Sequence, residues 1–160
     1  MADLTPLDEK LAEVMGLAQA AQDTTSKVIE MCDDEQIVST IERMREEARE
    51  TAERCEQLAA NLNGKKTAVE EKARETKQEA SKMRDDYLGE GDDALDGLEF
   101  MIMAEAGELG HVEIVGTMGS EVGDQQIQEL VEWAQPIQRR HYEDTRKAAL
   151  ELARREAAEV

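Results

Sequence analysis

The stretch AEAGELGHVE, residues 104–113, carries three glutamates and one of the chain's two histidines. Glu108 and His111 are spaced i, i+3, and Glu105 lies one turn earlier. Glu-x-x-His is the ligand spacing of carboxylate-bridged di-metal centres built between bundle helices. A complete centre takes such a pair from each of two helices and one carboxylate from each of the other two. Gln138-Arg139-Arg140-His141 reads as the same motif with its carboxylate turned into an amide. Hard dications need charged oxygen ligands, and iron or manganese usually adds imidazole. The candidate ligands are therefore Glu47, Glu105, Glu108, His111 and His141, for iron or manganese. The competing reading is metal-free. In it Glu105 is held by an arginine or by water, and His111 is a surface or capping histidine.

These residues must be positioned by helices, because apolar residues recur at three- and four-residue spacing through four long segments. The first helix is expected over residues 7–32, with Thr5 as N-cap, Pro6 at the first helical position and Glu9 following. The second covers 35–62 and stops at Asn61-Leu62-Asn63-Gly64. The third long helix covers 93–118, with a stripe of Leu95, Leu98, Ile102, Glu105, Leu109, Val112 and Gly116. Its glycines lower helix propensity by roughly 1 kcal/mol each, so HVEIVG alone also fits a strand. The fourth covers 124–158, with Pro136 expected to kink it. Glu105 falls on a core-facing position, where an unpaired carboxylate must be protonated, paired or bound to a cation.

Residues 65–87 differ in kind. They are dense in charge and poor in apolar residues, so they read as a solvated helix lying on the bundle. A helix of ~20 residues spans about 30 Å, enough to carry the chain back along the bundle between its second and third long helices. That favours one long crossover over an antiparallel five-helix bundle. Counting levels from the two hairpin turns then places Ala18 opposite Glu47 and Ala48, and Glu105 opposite Ile137 and Gln138. His141 is expected one to two turns from Glu105.

Composition narrows the function. With 38 acidic and 19 basic residues, the net charge of −19 opposes phosphate backbones and anionic membranes. It also matches the surface that halophiles use. No segment approaches ~20 apolar residues, and the N-terminus lacks a signal peptide's pattern, so the cytoplasm is the expected location. Cys32 and Cys55 sit roughly 30 Å apart along helical geometry, beyond disulfide reach, and read as buried thiols. No phosphate loop, Cys-x-x-Cys pair or nucleophile elbow occurs.

The stretches MREEARETAERCEQLAANLNGKK and LEFMIMAEAGELGHVEIVG, the latter followed by a Gly/Glu turn, resemble the second helix and turn and the third helix of ferritin-like stress proteins of the YciE/YciF type. The similarity covers most of residues 7–155. It implies an all-α, ferritin-like four-helix bundle with one long helical crossover, forming a single domain. It also implies a di-metal centre, a homodimer and a stress-linked, iron-related role. Carried over by position, Glu47, Glu105 and Glu108 match that family's ligands, whereas its first-helix glutamate falls on Ala18 and its second-helix histidine on Thr51. The site is then partial or degenerate. The alternative function is a metal-free bundle acting as a structural or partner-binding module, with the glycines of the third long helix allowing close helix approach, including across a dimer interface.

Overall fold

The computed structural model describes residues 2–159, and among them it contains five α-helices and no strand. They are α1 (Pro6–Met31), α2 (Glu35–Ala60), α3 (Lys66–Tyr87), α4 (Ala94–Val122) and α5 (Gln125–Ala158). HVEIVG lies inside α4, so the helical reading of that stretch holds.

Local chemistry sets the starts. Thr5 and Asp8 close a capping box at α1, with Pro6 in the first turn. Asp34 caps α2 through the backbone N–H groups of Gln36 and Ile37, Asp93 and Asp96 form a second capping box at α4, and Asp124 caps α5. These side chains satisfy N–H groups that the helix itself leaves open. At the other end of α4 the helix runs four residues past the expected stop. It ends where Gly123 takes the left-handed conformation at φ 70°, which glycine adopts at little cost. α5 continues through Pro136 without interruption.

Ion pairs fix the directions. Lys65 reaches Asp8 at 2.7 Å, Lys77 reaches Asp23 at 3.5 Å, and Lys27 reaches Asp85 at 3.8 Å. α3 therefore runs parallel to α1 along its outer side. α5 crosses to α2 through Arg43–Asp144 at 2.8 Å and Arg155–Asp34 at 2.5 Å, an antiparallel register. Around the ring α1, α2, α5, α4, each helix packs on its two neighbours. α3 carries the chain back so that α2 and α4 point the same way. Only Ala68, Val69 and Ala73 of α3 are buried, as its charge-rich sequence implies. Its approach is close. A Cβ on Gly16 would stand 2.3 Å from the Ala73 carbonyl oxygen.

Two apolar clusters fill the interior. One gathers Leu11, Met15, Cys55, Val69, Val115 and Ile127. The other gathers Val28, Ile41, Met44, Leu98 and Met101. Cys55 is buried but Cys32 is only half-buried, because it caps the exposed end of α1. The buried face of α4 is Gly97, Leu98, Phe100, Met101, Glu105, Glu108, Val112, Val115 and Gly119. It shares Leu98, Glu105 and Val112 with the expected stripe but tilts to the other flank. Ile102 and Leu109 lie at the boundary, and Glu108 is inside. No helix among the described residues is long and apolar enough to cross a membrane.

Candidate functional site

Between the two clusters the bundle turns polar. Glu105 is 3% exposed, Glu108 8%, Gln138 8% and His141 2%. α4 supplies the first two at i, i+3, and α5 supplies the second two at i, i+3, so both pairs face across one antiparallel seam. α2 adds Glu47, partly buried at the seam it shares with α5.

The Gln138 amide donates to Glu105 Oε2 at 2.5 Å and to the Glu105 backbone carbonyl at 3.2 Å. His141 stands between two carboxylates. Its Nε2 is 3.2 Å from Glu47 Oε1, and its Nδ1 is 3.7 Å from Glu105 Oε2. Arg140, one residue before it, bonds the other Glu47 oxygen. Burial opposes the Glu47 charge, but the bonds from Arg140 and His141 outweigh it and hold the carboxyl below its ordinary range. An ionised carboxylate only accepts, so His141 Nε2 carries the proton of their bond. Glu108 goes the other way. Burial, reinforced by the neighbouring Glu105 charge, pushes its carboxyl well above the ordinary range, against the Gln138 amide.

Two expectations are corrected here. His141 is within one side chain's reach of Glu105, not one to two turns away, because both side chains extend toward the same level of the bundle axis. The Gln138 amide holds Glu105, with the His141 ring 3.7 Å away; the expected arginine serves Glu47 instead. The expected pairing of Glu105 with the Gln138 level is met.

His111 sits apart from this layer. Its Nδ1–H donates to the Gly107 carbonyl at 2.8 Å, and its Nε2 faces Glu13 Oε2 at 3.4 Å. The wall facing Glu108 is built from Ala18, Ala48 and Thr51, around a small void. The Thr51 hydroxyl is spent on the Glu47 carbonyl of its own helix at 3.0 Å. Among the described residues, no group of three or more His, Cys, Asp or Glu side chains is placed to hold a metal ion.

The donor set therefore does not fit a di-metal centre. At this layer α1 offers no ligand and α2 no imidazole, and the Gln138 amide already occupies a Glu105 oxygen. No family model, curated protein or solved structure matches the chain.

Sequence reasoning missed the roles of Arg140 and Glu13. Arg140 carried only the weak signal of adjoining His141, because its meeting with Glu47 depends on how α2 and α5 pack. Glu13 carried none, because its meeting with His111 depends on the α1–α4 register.

Proposed function

We propose that the chain is a ferritin-like bundle whose metal layer has become a protein-only polar layer, and that it serves as a metal-free binding module. The observation that supports this reading is the Gln138 amide on Glu105 Oε2. It fills a position where a metal would need a free carboxylate oxygen, and His141 is committed between Glu105 and Glu47. Such a layer favours a fixed register, since its buried polar groups are satisfied together only when the helices meet at this level.

The up, down, down, up order of the four long helices, with α3 as the crossover, supports the ferritin-like reading of the architecture. Elemental mass spectrometry on protein purified without chelator tests the function. The expected result is iron and manganese far below one per chain, unchanged in Glu105→Gln. Stoichiometric metal that disappears in Glu105→Gln would restore a working metal centre.

A further inference from the structure

A cleft of about 320 Å³ runs between α3 and α4, over the surface of α1. Met83, Tyr87, Phe100 and Met103 line one end, and Glu108 and His111 line the other. Met83 is 67% exposed, Met103 50% and Tyr87 46%. Contiguous apolar walls rimmed by polar residues are found at ligand-binding grooves. Methionines suit such a wall, because their flexible side chains adapt to the shape they meet.

The chemistry at the polar end selects the occupant. Glu105 and Glu108 both line the cleft, yet among the described residues no lysine or arginine does. Among the described residues, Glu105 meets the Gln138 amide, His141 and Glu108, and Glu108 has Gln138 and Glu105 as its polar neighbours. Beyond them His111 is already turned to Glu13. Two adjacent carboxyl groups thus share a buried site without a strong cation. An acidic ligand would add a third carboxyl to that site and would approach a chain of net charge −19, which repels it. An ammonium group would supply the missing charge.

We propose that this cleft binds an amphiphilic amine, with its ammonium at Glu108 and Glu105 and its apolar body beneath Met83, Met103 and Tyr87. Phe100 and Glu108 stand about 12 Å apart along α4 at ~1.5 Å per residue, the extended length of roughly ten carbons. The inference deepens the binding-module reading by naming a ligand class, and it is tested separately from the metal content.

Isothermal titration of the full chain with n-decylamine, decan-1-ol and decanoate, each below its aggregation concentration, decides it. Decylamine should saturate a single site and bind about tenfold or more tighter than decanol, with decanoate weakest. Glu108→Gln should lower decylamine affinity about tenfold and leave decanol unchanged. Ala104→Phe, which fills the cleft, should remove both. Met83→Gln changes only the exposed rim, cannot disturb the core, and should weaken both amphiphiles. Circular dichroism confirms the fold of each variant. Equal affinity for amine and alcohol, tight decanoate binding, or indifference to Glu108→Gln and Met83→Gln would overturn the proposal. So would many weak amine sites that vanish at high salt, which would reveal general attraction to an acidic surface. A dimer that dissociates in Ala104→Phe would assign the cleft to a second copy and overturn it as well.

Discussion

Glu47 and Glu108 belong to one polar layer, and the bundle treats them in opposite ways. Both lose water on burial. Glu47 lies where α2 meets α5, and there Arg140, His141 and, at 3.8 Å, Arg43 surround its oxygens. Glu108 lies where α4 faces α1, against alanines, a threonine, another glutamate and an amide. The first carboxyl is held ionised and the second is pushed toward its neutral form. Burial alone does not set the charge state of an acid. The supply of cations does, and here it follows the seams: long arginines reach in from the solvated α2–α5 edge, whereas the α1–α4 side offers small and apolar residues. The layer is joined through His141, which touches Glu47 with one nitrogen and approaches Glu105 with the other.

The largest effect should come from removing that link. His141→Ala deletes a ring that is 2% exposed and strips a hydrogen bond from Glu47. It also leaves Glu105 facing a cavity. The expected loss is about 2–4 kcal/mol in urea unfolding. His141→Gln, which keeps a donor near Glu47, should recover part of it. A negligible loss in His141→Ala would mean that the two ends of the layer are independent.

Glu108→Gln sharpens the contrast from the uncompensated end. It keeps the shape and removes the acid, so at neutral pH it should stabilise the protein by on the order of 1–3 kcal/mol. The sign of the pH dependence follows from the raised carboxyl. As pH rises past the ordinary carboxylate range, the unfolded chain releases this proton while the fold still holds it. Stability therefore falls with pH until the folded group also ionises. The groups that face it are Glu105 and His111 on α4 and Gln138 on α5, with no lysine or arginine from α1. The gain from Glu108→Gln should shrink to nothing in acid. A gain that is independent of pH would point to packing and not to the proton.

How far the sequence carries this can be judged on α4. Its helical nature and the central place of Glu105 were readable from spacing and residue type. The rotation of the helix was not. Two stripes share Leu98, Glu105 and Val112, and hydrophobicity favours the one with Ile102 and Leu109. The fold buries the one with Met101 and Glu108, with α4 meeting α5 closely at Gly116 and, tighter still, at Gly119. A Cβ there would stand 2.4 Å from Ile127 Cγ2. Periodicity within one helix holds no information about such a neighbour. The level match of Glu105 with Gln138 was readable, since antiparallel hairpins can be counted from their turns. The capture of Glu47 by Arg140 was not, because it depends on how α2 and α5 meet, and they are not consecutive in the chain.

The smallest effect should come from the same chemical change at the compensated end. Glu47→Gln replaces an ionised carboxylate by an amide whose oxygen still accepts from Arg140 and His141. What is lost is charge, at a side chain 19% exposed beside an arginine 42% exposed, so the cost at neutral pH should be about 1 kcal/mol or less. Its sign is opposite to that of Glu108→Gln. Glu47 ionises more readily in the fold than in the unfolded chain, so its contribution is present above the ordinary carboxylate range and fades as pH falls through its lowered value. Both variants should thus converge on the wild-type stability in acid, one from below and one from above. Parallel urea titrations of the two variants across the acidic range read this directly. Equal signs at neutral pH would show that the layer shares its charge across the whole bundle, and the contrast between its two ends would then be lost.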